Sequence, residues 1–311
     1  MQRIDTFLVE HDLVESREQA KRLILAGAVT VNGNSRIKPG QRIPSDAQVI
    51  VQQQQKYVSR GGFKLEKALR TFDINVQNRV ALDVGASTGG FTDCLLQHGA
   101  KFVYAIDVGY GQLAWKLRTH PQVQPIEKTN IRHLTPAHLK TSALNAPGDL
   151  APIAVIDVSF ISLRTVLPSA IKLLSSSQFS GISHQLRGEP VKPESPLTEQ
   201  LSLQGKPTID NHSDIIALLK PQFEAGKVHV KKGGIVSDKQ VHIQTIDNLS
   251  AFVTEKLGAT VRGLTYSPIH KDIGNIEYLL WLTVDGERTD SYQLEHTTAE
   301  IVEAAHQSFE G

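Results

Sequence analysis

Four ionisable residues, far apart in the chain, stand where proton chemistry could be done: Lys64, Asp157, Lys220 and Glu277. Lys64 follows Tyr57-Val58-Ser59-Arg60-Gly61-Gly62-Phe63, which reads as a flexible double glycine leading into a helix that carries Leu65, Ala68 and Leu69. It falls in the first turn of that helix, where the dipole disfavours a cation, so stability does not explain a lysine there. Asp157 ends the apolar run Ile153–Ile156, and in an open α/β sheet the carboxyl ends of the strands form the functional edge. Lys220 follows Ile215-Ile216-Ala217-Leu218-Leu219 and precedes Pro221, which stops a strand. Glu277 stands before Tyr278-Leu279-Leu280-Trp281, the start of a last strand. Singly, each has an ordinary explanation: Lys64 could be an exposed lysine at a frayed helix end, Asp157 could cap a helix, Lys220 could lay its stem on apolar surface, and Glu277 could pair with a surface lysine. Lys231 and Lys232 rival Lys220, but Gly233-Gly234 after them points to a turn.

A ligand-binding signal lies between the first two. Val80-Ala81-Leu82-Asp83-Val84-Gly85 reads as a buried strand, and Ala86-Ser87-Thr88-Gly89-Gly90-Phe91 turns the chain into a helix with Leu95 and Leu96 inside. Glycines in such a turn let backbone approach a ligand closely. Tyr104-Ala105-Ile106 forms a second strand ending at Asp107, 22 residues after Gly85 and suited to ribose hydroxyls. Asp83-x-Gly85-x-x-x-Gly89-Gly90-Phe91 is not the dinucleotide fingerprint, and its acid suits a cationic ligand better than a pyrophosphate. A third strand is expected over Val123–Ile126, and a helix around Ile243 to Leu257 precedes a hairpin.

The elements that position these residues follow a separate N-terminal module. Ile4, Phe7 and Leu8 recur at helical spacing, and Ser16 with Gln19 forms a capping box for a helix that buries Ala20, Leu23 and Ile24 and stops at Gly27. Val29-Thr30-Val31 runs into Asn32-Gly33, a strong hairpin signal, and Lys38-Pro39-Gly40 turns again before Val49 and Val51. Arg17, Lys21 and Arg22 occupy the other helix face. The glutamines at 52–55 end the module, so the organisation expected is residues 1–52, a linker over 53–62, and a larger domain over 63–311. Residues 175–210 hold fifteen Ser, Gln or Pro in thirty-six positions without apolar period, so a disordered insertion is expected at 175–212.

The net charge is only +1, yet residues 1–70 hold twelve Lys/Arg against seven Asp/Glu, so a polyanion would meet that end first. No apolar run approaches the ~20 residues that span a bilayer, and the N-terminus lacks a signal peptide's apolar region. A single cysteine, Cys94, forms no internal disulfide and is read as a core residue. The compartment expected is cytoplasmic. The twelve histidines are scattered without ligand spacing, so no metal site is expected.

Several stretches resemble known families. Arg3-Ile4-Asp5, Ser16-Arg17-x-x-Ala20, Gly27-x-Val29-x-Val31-Asn32-Gly33 and Lys38-Pro39 are similar to the S4 RNA-binding domain. The glycine turn resembles motif I of S-adenosylmethionine-dependent methyltransferases. Lys64, Asp157, Lys220 and Glu277 match in order the K-D-K-E tetrad of FtsJ-like RNA 2′-O-methyltransferases. Ser59-Arg60-Gly61-Gly62-x-Lys64-Leu65, Asp157-Val158-Ser159-Phe160-Ile161-Ser162-Leu163, Lys220-Pro221-Gln222-Phe223-Glu224 and Gly274-Asn275-x-Glu277 resemble the TlyA family over almost the whole chain. The fold this implies is α/β: a Rossmann-like class I methyltransferase with a seven-stranded, mostly parallel sheet, preceded by a small α+β S4 domain. The activity implied is S-adenosylmethionine-dependent 2′-O-methylation of cytidine in 16S or 23S ribosomal RNA, with ribosomal RNA or subunits as partners and no obligate protein partner or membrane. Lys220 would contact the 2′-oxygen, as base or orienting donor, with Asp157 and Glu277 holding the two lysines. Asp83, Gly85, Ser87, Gly89, Gly90, Phe91 and Asp107 would serve the cofactor. By analogy with the fold, Asn130 would close over the adenine, its alternative being a helix cap before Ile131. Arg3, Arg17, Lys21, Arg22, Lys38 and Arg60 would meet RNA. Proteins of this family are also described as haemolysins, and an RNA-binding protein with an inactive methyltransferase core is the other alternative.

Overall fold

A computed structural model describes residues 1–51, 56–135, 137–139, 153–174, 212–269, 275–284 and 296–309. The glutamines at 52–55, Gly274 and, apart from His212, the insertion expected at 175–212 lie outside the described residues. The chain forms two compact units, Met1–Lys56 and Tyr57–Gly311. Tyr57 is 1% exposed in the core of the second unit. The stretch from Tyr57 to Gly62, expected as linker, therefore packs as part of that unit.

In the first unit, β1 (Gln2–Arg3) leads into α1 (Ile4–Glu10), and α2 (Arg17–Leu25) follows. Ser16 caps α2 by accepting from the Gln19 amide, while the Gln19 side chain accepts from the Glu15 amide, one residue before the partner a capping box would use. β2 (Val29–Val31) ends in a tight turn in which Asn32 and Gly33 both take positive φ. The strand that pairs with β2 is not the one after that turn. β3 (Arg42–Ile43) pairs with β1, and β4 (Val49–Val51) with β2, because Ile37 turns inward to a core of Ile4, Leu8, Ile24 and Val29 before the chain returns.

The second unit carries α3 (Gly61–Thr71), β5 (Val80–Val84), α4 (Gly90–Gln97), β6 (Phe102–Ile106), α5 (Trp115–Arg118), β7 (Val123–Ile126), β8 (Ile153–Ile156), α6 (Leu163–Leu174), β9 (Ser213–Leu219), α7 (Pro221–Glu224), α8 (Lys239–Leu257), β10 (Thr260–Tyr266), β11 (Tyr278–Val284) and α9 (Thr298–Phe309). The strands form one sheet in the order β10-β11-β9-β8-β5-β6-β7, with only β11 antiparallel to its neighbours. Alternate side chains feed two layers, as a strand's period of two requires. Ala81, Val103, Val155, Ile216 and Leu279 face Leu65 and Leu69 of α3 and Leu95 of α4. Leu82, Tyr104, Ile156, Ala217 and Leu280 face Leu167 of α6, Leu249 of α8 and Val302 of α9. Among the described residues no helix is long and apolar enough to cross a membrane.

This topology brings distant residues to one edge. β5, β6, β8 and β9 end together at Val84, Ile106, Ile156 and Leu219, so Gly85, Asp107, Asp157 and Lys220 follow at that edge. The antiparallel β11 begins there, with Tyr278 opposite Leu219. Glu277 thus meets the edge from the opposite chain direction.

At the far end of β9, Asp214 is 3% exposed and accepts from Arg79 Nη1 at 2.6 Å and from Trp281 Nε1 at 2.7 Å. It ties the approach to β5 to β9 and β11. Asp214→Ala leaves the guanidinium without its buried partner and is expected to cost about 3 kcal/mol, read from denaturant unfolding of the full chain; a change under about 0.5 kcal/mol would show that the cluster holds nothing.

Candidate active site

The turn after β5 is shaped by three glycines with distinct tasks. Gly85 has φ +86°, and a Cβ there would lie 2.3 Å from the Asp157 carbonyl oxygen. Only glycine lets this turn pass against the loop after β8. Gly89 has φ +95° as the cap of α4, and a Cβ there would strike the Leu117 side chain at 2.3 Å. It is required by packing against α5. Gly90 abuts α3: its Cβ would meet Ser59 Oγ at 2.3 Å and the Gly62 amide nitrogen at 2.9 Å. Gly61 and Gly62, expected as a flexible hinge, are the first helical residues of α3, and a Cβ on Gly62 would enter the Tyr57 ring. Gly62 makes room for the Tyr57 ring and Gly90 lets the starts of α3 and α4 meet, whereas a Cβ on Gly61 would make only ordinary contacts.

That contact sets Lys64 at the sheet edge. Lys64 is 7% exposed, and its Nζ lies 2.5 Å from Oε2 of Glu277, which is 1% exposed. Lys220, 6% exposed, forms the second pair, with Nζ 2.7 Å from Asp157 Oδ1. Nζ of Lys220 also donates to Ser159 Oγ at 2.9 Å. The four tetrad residues thus meet as two buried lysine–carboxylate pairs. Removing ions from water costs several kcal/mol each, so such pairs hold only where both members are fixed. Lys231, the rival by sequence, instead donates to Ser237 Oγ in an exposed turn.

Two adjoining cavities of about 290 and about 330 Å³ share Gly85, Ser87, Asp157 and Ser159. The first also has Arg60, Lys64, Gly90, Phe91 and Lys220 in its wall. The second is walled by Ile106, Val108, Ile131, Val158, Ile161 and Val166, with Asp107 and Asn130 as polar groups. Asp107 accepts from the Ser87 amide at 2.7 Å and the Gly109 amide at 2.6 Å, so its carboxylate also shapes the turn. Asn130 accepts from the Arg132 amide at 3.1 Å, capping the turn Ile131–His133 as well as lining the cavity. Val108 and Ile131 were missed as wall residues because an apolar residue beside a strand end carries no sign of ligand contact. Ser159 was missed as the second partner of Lys220 because 61 residues separate them.

Asp83 does not reach either cavity. It is fully buried beneath the turn, with Oδ2 accepting from Thr92 Oγ1 at 2.5 Å and Oδ1 without a hydrogen-bond partner. Burial, and then the nearby Asp157 charge, push its carboxyl up to about 7 against the Thr92 hydrogen bond. An orphaned carboxylate oxygen under a glycine turn suits a cationic group above it, and the second cavity, with apolar walls and polar groups that include Asp107, Gln112, Thr129 and Asn130, suits a nucleoside. S-adenosylmethionine combines both, and the residues present fit it.

The expected RNA-facing residues are exposed or half-exposed, but several already have acidic neighbours. Asp5 is 0% exposed and accepts from Arg3 Nε and Nη2 and from Arg17 Nη2, at 3.0, 2.8 and 3.0 Å. These guanidiniums hold the Asp5 carboxyl well below the usual range. Lys21 pairs with Glu18 at 2.8 Å. Arg22 and Lys38 are exposed in the first unit, and Arg60 is exposed in the second.

The sequence matches the FtsJ-like methyltransferase family over residues 57–284 and the S4 domain over residues 2–49. YqxC of Bacillus subtilis is 42% identical, covering 99% of this chain and 95% of its own length. TlyA of Mycobacterium tuberculosis, strain H37Rv, is 38% identical over 92% of this chain and 91% of its own. This chain belongs to the TlyA family of FtsJ-like methyltransferases. A solved structure of a hemolysin-named protein from Streptococcus thermophilus is 37% identical, with a TM-score of 0.64 over 99% of this chain and 97% of that one. The cofactor of this TlyA-family chain is S-adenosylmethionine.

The elevated Asp83 carboxyl has a signed consequence. Between about pH 4 and pH 7 the folded state binds more protons here than the unfolded state, so this group's contribution to stability falls as pH rises through that window. Asp83→Asn should raise the melting temperature of the ligand-free protein at about pH 8 relative to wild type, with the difference closing toward about pH 4, and should weaken S-adenosylmethionine binding measured by calorimetry. A variant less stable than wild type at the higher pH, binding cofactor equally well, would contradict this account.

Proposed function

We propose that this chain transfers a methyl group from S-adenosylmethionine to the ribose 2′-oxygen of cytidine in ribosomal RNA. The observation that carries the reading is the fixing of Lys220, in the wall of the first cavity, by Asp157 and Ser159, which both cavities share. The M. tuberculosis relative is named a 16S/23S rRNA (cytidine-2′-O)-methyltransferase, and a Campylobacter jejuni relative a 23S rRNA (cytidine-2′-O)-methyltransferase. Ribosomal RNA or subunits are the partners this reading implies, met through the basic residues of the S4 unit, and the cytoplasm is where they would be met.

A ribose hydroxyl is a weak nucleophile at neutral pH, so this chain must hold it in line and manage its proton. S-adenosylmethionine, when bound, supplies an electrophilic methyl group attached to a good leaving sulfur. Ser159 Oγ accepts one N–H of Lys220, and the Asp157 carboxylate holds the same nitrogen by charge at 2.7 Å without a hydrogen bond. A further N–H on Nζ orients the 2′-oxygen; a lone pair there accepts the hydroxyl proton. Either role needs Nζ in place before substrate arrives, and the two contacts supply that. Lys64, held by Glu277, sets a second cation beside the same cavity and stabilises negative charge growing on the attacking oxygen. Glu277 Oε1 is buried and without a hydrogen-bond partner, while Oε2 holds Lys64.

Transfer of labelled methyl from S-adenosylmethionine to ribosomal subunits, with the product mapped as ribose or base methylation, tests the reading. Lys220→Ala should lose about 100-fold or more of the rate while binding cofactor within about threefold of wild type. Label on a base, or full activity in the variant, would refute it.

A further inference from the structure

The sheet fixes only where the catalytic loops begin: the Asp157 amide donates to the Val84 carbonyl at 2.9 Å, and Lys220 directly follows Leu219, which pairs with Tyr278. The β8–β9 ladder ends at the pair Ile156 and Ala217, and both Asp157 and Lys220 lie beyond it. From there the two segments, Asp157 to Leu163 and Lys220 to Glu224, are joined through side chains. Lys220 meets Asp157 and Ser159, the Phe160 and Phe223 rings lie 5.2 Å apart, and Glu224 closes the far end. Glu224 accepts from Ser162 Oγ at 2.7 Å and from the Leu163 amide at 2.6 Å, where α6 begins. A carboxylate suits that helix end, because its first amides lack partners within the helix. The loop between needs holding, since Phe160 is a non-glycine residue at φ +64° and 90% exposed.

We propose that Glu224 is a positioning residue for methyl transfer: by tying the start of α6 to α7, it sets the loop that carries Asp157 and Ser159 at the distance Lys220 requires. It rests on the function proposed above for its kinetic consequence, though not for the clamp itself. Glu224 reaches neither reacting atoms nor cofactor cavity. Its effect is transmitted through the loop backbone to two contacts on Nζ.

A series at one position tests this. In Glu224→Gln the amide oxygen can accept from Leu163 while its NH₂ donates to Ser162 Oγ, so both ties survive. Glu224→Asp is one methylene too short to keep them, and Glu224→Ala has neither. With kcat counted per cofactor-binding site, Ala and Asp variants should lose about 10- to 100-fold in kcat while the KM for RNA and the Kd for S-adenosylmethionine move by less than about twofold. The Gln variant should keep kcat within about threefold. A merely structural role would lower cofactor-binding capacity and leave kcat per site unchanged, which would overturn the proposal.

Acylation of Lys220, followed by mass spectrometry of the folded full-length protein, reads the clamp without activity. The Ala variant should label about tenfold faster than wild type and the Gln variant at the wild-type rate. Equal labelling in all three overturns the clamp. Faster labelling in the Ala variant, together with a wild type that transfers no methyl to ribose, upholds the clamp and defeats the assigned reaction instead.

Discussion

Two lysine–carboxylate pairs, each largely withdrawn from water, are the constraint on which this catalytic unit depends. Lys64 and Glu277 are 213 residues apart, yet their charges touch at 2.5 Å with 7% and 1% exposure. Lys220 and Asp157 are held at 2.7 Å. An unpaired ion at any of these positions would cost several kcal/mol, so the fold must deliver all four at once. A parallel sheet with one antiparallel strand does this. Strands running one way present their last residues at an edge, and β11, running the other way, presents Glu277 there from its beginning.

The remaining parts serve the same edge. Gly90 brings α4 close to the start of α3, and Gly62 admits the Tyr57 ring, which together place Lys64 beside the glycine turn. Gly85 lets that turn lie against the loop bearing Asp157. Asp107 spends both carboxylate oxygens on backbone amides of the turns around the cofactor cavity, so a residue read as a ligand contact also builds the wall that a ligand would touch. Preorganisation of this kind makes charges effective, because no side chain must reorient as the oxygen attacks.

Much of this was legible in the sequence, for identifiable reasons. Apolar runs at Val80–Val84, Ile153–Ile156 and residues 215–219 announce buried strands, since parallel strands covered on both faces read as continuous hydrophobic stretches. An acid or lysine directly after such a run marks the functional edge. The misreadings have a shared cause. Gly61-Gly62 looked flexible because glycine signals freedom locally, whereas at Gly62 it signals the approach of the Tyr57 ring. Asn32-Gly33 forms its tight turn, but a turn signal does not say which later strand pairs with β2. Asn130 takes the capping role that its type favours next to a helical turn, while also facing the cavity.

The sequence by itself determined the buried strands that end at the functional edge, the helices that flank the glycine turn, the turn itself, the basic N-terminal module and the identity of the four charged residues. These depend on local periodicity, on the conformations glycine allows, and on residue type. Only the tertiary structure decided which lysine meets which carboxylate, that Ser159 and not a nearer residue completes Lys220, and that Asp83 lies under the turn with one oxygen unsatisfied. Those outcomes depend on strand order and on register across hundreds of residues, and no local pattern encodes a distance between segments that meet only when the sheet forms.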